Sequence, residues 1–174
     1  MMVSATLTVN GTTYPVDLDP HVSLLVAVRE ELGLTGSKEG CDDSECGACM
    51  MLLDGNPVNS CSYLALQAEG REITTVEGLA GDEELGPLQR AFLLQGGVQC
   101  GFCTPGMLVS ATALLRENPS PTDEEIRIGL SGNLCRCTGY DGIVRAVQQA
   151  ARGEVPPLGE APIHADSTPP HRAG

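Results

Sequence analysis

Eight cysteines in two spaced sets constrain this 174-residue chain more than any other feature. The first set reads CDDSECGACMMLLDGNPVNSC over residues 41–61, a C-x4-C-x2-C-x11-C pattern formed by Cys41, Cys46, Cys49 and Cys61. The second is divided between QCGFCTPG and LCRCTGY and comprises Cys100, Cys103, Cys135 and Cys137. The opening MMVSATLTVNG lacks a basic n-region, an apolar h-region and a twin-arginine pair, so the chain is expected in the cytoplasm, among reduced thiols. Metal binding is then the stronger reading and a disulfide framework the weaker. Cys135 and Cys137 flank the single residue Arg136, which makes an awkward disulfide but a natural pair of ligands.

Charge narrows the partners. A formal net charge of -13 opposes a phosphate backbone, which needs Lys and Arg to displace its counterions, so nucleic acid is not an expected partner. No run approaches the roughly 20 apolar residues of a membrane span. The acid is uneven: net -9 over residues 1–80 and net -4 over residues 81–174, as two domains of different composition would give.

Periodicity divides the chain at the same place. Val3, Ala5, Leu7 and Val9 alternate with polar residues, Asn10-Gly11 is a hairpin turn, and Tyr14, Val16 and Leu18 resume the alternation, with Pro15 placing the second arm at an edge or bulge. Asp19-Pro20 reads as a cap and first-turn proline for a helix through Leu24, Leu25, Val28 and Leu32, stopped by Gly33. A cysteine loop over 35–49 leads into the apolar run Met50 to Leu53, an Asp54-Gly55 turn, a short arm ending at Cys61, and a further strand over 71–76. After Gly81 a helical period takes over: helices are expected over 87–95, 105–117 and 122–130, the last opening with the capping box T-D-E-E, and a fourth around Ile143, Val144, Val147 and Ala150. The fold class is therefore α+β, strands with a crossing helix followed by a four-helix bundle. The proposed division is 1–80, 81–153, and a Pro-rich extended or disordered tail over 154–174, in which His164 and His171 are assigned no role.

The spacing of the first set is the plant-type ligand pattern of a 2Fe-2S cluster, three thiolates from one loop and a fourth from outside it. Gly40 and Gly47 would let the backbone wrap closely, with amide N–H groups turned toward anionic sulfurs. Zinc is the competing ligand, although its structural sites usually pair two short knuckles. In the second set each cysteine pair precedes a threonine, Thr104 or Thr138, that can cap the following helix, so two helix N-termini would point at one anionic centre. Spacing alone does not choose iron or zinc there. Asp42, Asp43 and Glu45, lying between ligands, are read first as solvated charges and second as a docking surface for a partner.

GCDDSECGAC, NPVNSC, TTVEGL, QCGFCTPGM and NLCRCTGYDGIVRAV together resemble the iron-sulfur subunit of the molybdenum hydroxylases, the family of xanthine dehydrogenase, aldehyde oxidoreductase and aerobic carbon monoxide dehydrogenase. The resemblance spans roughly residues 3–152, and all eight cysteines fall at the family's spacing, including the 31 residues between Cys103 and Cys135. Met50-Met51 departs from the small or polar residue usual after the third cysteine.

The resemblance implies a β-grasp ferredoxin-like domain and a helical bundle, each with one 2Fe-2S cluster. It implies electrons passing from a molybdenum-pterin cofactor through the bundle cluster, then the ferredoxin-like cluster, to FAD. The molybdenum and flavin would belong to a large and a medium partner subunit. It also places Gln99 and Cys137 against the pterin, Cys137 serving as a cluster ligand as well. The residues themselves add that no G-x-G-x-x-G, Walker or G-x-S-x-G motif occurs, so no substrate turnover is expected from this chain alone. A free-standing two-cluster ferredoxin-like carrier is the alternative, with a zinc protein and a disulfide-stapled interaction domain behind it.

Overall fold

The computed structural model describes residues 1–80 and 85–158. The N-terminal half is a mixed five-stranded sheet of order β2-β1-β5-β3-β4, formed by β1 (Val3–Val9), β2 (Thr12–Leu18), β3 (Met50–Leu53), β4 (Asn56–Asn59) and β5 (Glu72–Thr74). β1 pairs antiparallel with β2 and parallel with β5, while β3 pairs antiparallel with both β4 and β5. Both edge strands carry a proline, Pro15 in β2 and Pro57 in β4, where a missing N–H costs no ladder bond. α1 (Leu24–Val26) runs directly into a π-helical turn, Ala27–Glu31, and lays Leu24, Leu25, Ala27 and Val28 onto Leu7, Val9, Leu18, Met51, Leu53 and Ile73.

Two local expectations are corrected. Asp19-Pro20 does not open the helix: the Asp19 carboxylate accepts from the His21 amide and its carbonyl from Val22, closing a turn. Ser23 is the cap, its hydroxyl accepting from Val26 N at 3.2 Å, because a serine one residue before the first buried leucine can satisfy a free first-turn amide where the aspartate cannot reach. The strand expected over 71–76 is shorter, since Val76–Leu79 turns into a 3-10 helix.

The C-terminal half contains α2 (Pro87–Leu94), α3 (Thr104–Glu117), α4 (Asp123–Gly129) and α5 (Asp141–Ala151), packed around Phe92, Met107, Leu108, Ile126, Ile143 and Val147. The capping box forms as read: Thr122 accepts from Glu125 N and the Glu125 carboxylate accepts from Thr122 N at 2.7 Å. The expected boundary at Gly81 and most of the Pro-rich tail lie outside the described residues. Its first residues are not free of the bundle, since Val155 packs against the helical core and Gln149 donates to the Glu154 carbonyl at 3.0 Å.

The two halves are in direct contact. Met51 and Leu53 face α1, whereas Leu52 on the other face of β3 and Val109 of α3 are fully buried yet belong to neither core, as α3 packs on β3 and β4. The sheet is thus covered on both faces at β3, which accounts for an uninterrupted apolar run where alternation would otherwise stand. Met50-Met51 fits this placement, Met51 wholly buried and Met50 half-buried. Among the described residues no helix is long and apolar enough to cross a membrane.

Candidate metal centres

Three of the first four cysteines come from the loop between α1 and β3, and Cys61 follows β4. Arg29 steadies the entry to that loop, its guanidinium donating to the carbonyls of Thr35 and Ser37 at 2.9 and 2.6 Å, and the Lys38 amide closes it on the Ala48 carbonyl at 3.0 Å. Asp42 and Ser44 both sit at positive φ, 73° and 66°, so the chain between Cys41 and Cys46 curls instead of extending. The thiols meet in twos. The Cys46 amide points at Cys41 Sγ at 3.5 Å, and Cys49 lies within hydrogen-bonding reach of Cys61. A side chain on Gly40 would lie 2.9 Å from Cys46 Sγ, so the close wrap expected there is present.

Two polar side chains border the Cys49/Cys61 pair: the Cys49 thiol is 3.8 Å from Asn59 Oδ1, and Ser44 Oγ is 3.8 Å from Cys61 Sγ while also pairing with Ser62. Burial pushes the Cys49 thiol up to about 11. The charges between the ligands are exposed, and Asp43, which accepts from the Cys41 thiol, is held below the usual carboxylate range by that bond.

The second set is assembled from two loops, one entering α3 and one entering α5. Cys137 Sγ is 3.6 Å from Cys100 Sγ, and Cys103 lies within reach of Cys135. The two loops bring their cysteines together, but the threonines do not cap the helices that follow. Thr104 is already inside α3 with Cys103 as the N-cap, and among the described residues its buried hydroxyl has no hydrogen-bond partner. At α5 the N-cap is Tyr140, in the left-handed region at φ 70°, and Thr138 instead accepts from the Tyr140 amide at 3.2 Å and lies 3.1 Å from Cys135 Sγ. The tighter turn that brings Cys135 and Cys137 to one centre leaves Thr138 two residues short of the helix.

Thiol acidity in this set divides accordingly. Burial pushes Cys103 up to about 12. At Cys135 burial also acts upward, but the Thr138 hydroxyl with the Thr138 and Cys137 amides outweighs it and holds the thiol below its ordinary value. Cys100, Cys137 and Gln99 are all exposed on this side of the molecule.

The donor chemistry can be tested against the candidate groups. Two sulfide-bridged irons each need two thiolates, and the sets offer Cys41 with Cys46, Cys49 with Cys61, Cys100 with Cys137, and Cys103 with Cys135. A single zinc ion would also take four thiolates, at tetrahedral geometry. Paired thiolates fit the cluster.

One element joining the sets was not legible beforehand. Asn133, only 3% exposed, donates from Nδ2 to the Gly47 carbonyl at 3.0 Å, and the neighbouring Leu134 amide donates to the Cys46 carbonyl at 2.9 Å. Gly47, at φ 68°, allows this approach, since a side chain there would lie 2.3 Å from the Gly132 carbonyl. Gly47 therefore serves the contact between halves as much as the wrapping of its own loop.

Comparison with known proteins agrees with both halves. Residues 7–80 match the 2Fe-2S iron-sulfur cluster binding domain family and residues 75–148 match the 2Fe-2S binding domain family. The chain is 50% identical over 148 residues to the nicotinate dehydrogenase small FeS subunit of Eubacterium barkeri, covering 85% of this chain and 94% of that one. It is 54% identical over 142 residues to the nicotine 6-hydroxylase small subunit of Paenarthrobacter nicotinovorans, covering 82% and 86%. The crystal structure of quinoline 2-oxidoreductase from Pseudomonas putida 86 superimposes with a TM-score of 0.84 at 47% identity, covering 88% of this chain and 99% of that chain. With two 2Fe-2S binding domains and relatives of this identity along most of its length, the chain belongs to the family of small iron-sulfur subunits of the molybdenum hydroxylases, which carry electrons between the other cofactors of those complexes.

Proposed function

We propose that residues 1–80 hold one 2Fe-2S cluster on Cys41, Cys46, Cys49 and Cys61, and residues 81–153 a second on Cys100, Cys103, Cys135 and Cys137. The observation that carries this is the pairing of thiols within each set, at 3.6 Å for Cys100 and Cys137. When bound, each cluster supplies one-electron storage and transfer at a potential set by its surroundings. The chain's own residues hold the sulfurs at fixed spacing, turn amides such as Cys46 N toward them, and keep Cys49 and Cys61 buried from water.

The partners of this reading are a large molybdenum-pterin subunit and a medium FAD subunit. The exposed face bearing Gln99, Cys100 and Cys137 is the side offered to the pterin, Gln99 through a side-chain amide that can both donate and accept. The relatives' names, a nicotinate dehydrogenase, a nicotine hydroxylase and a caffeine dehydrogenase among them, support a complex that oxidises a small organic molecule. Substrate choice would rest with the large subunit.

The test is composition and association together. Eight thiolates in two sets of four lead to four irons and four inorganic sulfides per chain, with two distinguishable signals in the reduced-state EPR spectrum, and to two larger chains that co-purify. Two irons per chain, or stoichiometric zinc, would overturn the ligand assignment. A chain that runs alone from its native host would favour the free carrier.

A further inference from the structure

We propose that the Thr138 hydroxyl donates a hydrogen bond to Cys135 Sγ and thereby raises the reduction potential of the bundle cluster. This rests on the reading that Cys135 is a ligand of that cluster. Thr138 Oγ1 lies 3.1 Å from Cys135 Sγ and also accepts from the Tyr140 amide at 3.2 Å. An amide N–H can only donate, so the single hydroxyl proton is left to point at the sulfur. Tyr140 locks the turn from the other side, its phenol oxygen accepting from the Cys135 amide at 2.8 Å. The donor is thus aimed by bonds at both ends of the segment from Cys135 to Tyr140.

A cluster gains negative charge on reduction, and much of it falls on the ligating sulfurs. A hydrogen bond donated to one of them is stronger in the reduced state than in the oxidised state, so it favours uptake of the electron. The first set has a weaker counterpart. Ser44 Oγ is 3.8 Å from Cys61 Sγ, and its proton is contested by Ser62, which also has the Asn59 carbonyl within reach at 3.3 Å. Thr138 therefore gives the bundle cluster the closer hydroxyl donor of the two and equips it to take electrons from the pterin side.

The experiment is a mediated dithionite titration of the assembled complex, followed by EPR so that each cluster is read separately, on wild type, Thr138→Val, Thr138→Ser and Ser44→Gly. Valine keeps the branched shape without the hydroxyl, serine restores it, and glycine suits the positive φ of Ser44. Thr138→Val is expected to weaken one-electron reduction of the bundle cluster by up to about tenfold, about 59 mV, with the other cluster unmoved. Thr138→Ser should return to within a few-fold of wild type, and Ser44→Gly should shift only the other signal, by less. Unchanged potentials in Thr138→Val with full iron content would overturn the proposal. Should valine cost this cluster its iron, Thr138→Ala is titrated instead, and loss of iron there too would leave Thr138 a structural role only. A wild-type complex lacking a second EPR signal would fail the underlying cluster reading instead, so the two failures are separable.

Discussion

Replacing Asn133 by alanine or by aspartate tests whether the two cysteine loops are held together by one oriented side chain. The Asn133 side chain is buried and its Nδ2 donates to the Gly47 carbonyl at 3.0 Å. That carbonyl also accepts from the Met50 amide at 3.2 Å, so alanine does not orphan it. The loss in Asn133→Ala is then one neutral buried hydrogen bond, about 0.5–1.5 kcal/mol, plus a small cavity, for a total near 2 kcal/mol. Asn133→Asp keeps the shape but turns a carboxylate oxygen toward a carbonyl oxygen. A buried, unpaired carboxylate costs about 3–5 kcal/mol if it stays ionised, or is protonated instead. Its folded pKa is therefore raised above the ordinary value of about 3.9. By linkage the aspartate variant is relatively most stable in acid, where the neutral acid can still donate to Gly47, and loses stability as pH rises through that raised value. Thermal unfolding of the loaded chain between pH 5.5 and 8 reads both variants. An aspartate variant as stable as the alanine variant across that range would refute the assigned orientation, and two variants equal to wild type would refute the latch.

Cys61→Ser should remove or alter the N-terminal EPR signal while sparing the other, because Cys61 supplies the one ligand of its set from beyond the loop; loss of both signals together would show that the halves do not fold independently. Gly106→Ala should destabilise by about 1–3 kcal/mol or more, since the added Cβ would stand 2.1 Å from the Gly47 carbonyl oxygen, a backbone atom that cannot swing away; an unchanged melting temperature would contradict the close packing of α3 on the cysteine loop. The Arg71 guanidinium at 2.6 Å and the Glu72 amide hold the Asp54 carboxyl below the usual range. Its stabilisation is full above the unfolded value near 3.9 and is lost as pH falls through the folded one, so Asp54→Asn should flatten the acid limb of a stability–pH curve, whereas a parallel curve would assign that limb to other groups.

The cysteines illustrate why part of the site was legible from the chain and part was not. Ligand spacing within a loop is local, and the C-x4-C-x2-C run together with the Asn10-Gly11 turn, the edge proline Pro15 and the Thr122 capping box all act over a few residues. Short-range chemistry of that kind is encoded where it acts. The threonines misled because each carries the right side chain for a cap, and only the folded turns place Thr104 inside α3, past the cap position, and aim Thr138 at the Tyr140 amide instead.

Asn133 marks the other limit. Its partner Gly47 is 86 residues away, and nothing in SGNLCRC distinguishes a buried latch from a polar loop residue. The same holds for Leu52, whose burial depends on α3 covering the second face of the sheet, and for Arg29, which reaches past its own helix to carbonyls of the cysteine loop. By itself the sequence determined the cysteine sets, the period of each element and the order of the halves, because these follow from contacts between neighbours in the chain. The tertiary structure alone decided which thiols pair, which hydroxyl meets a sulfur and how the two loops lock together, because those depend on distances between segments that sequence separation does not set.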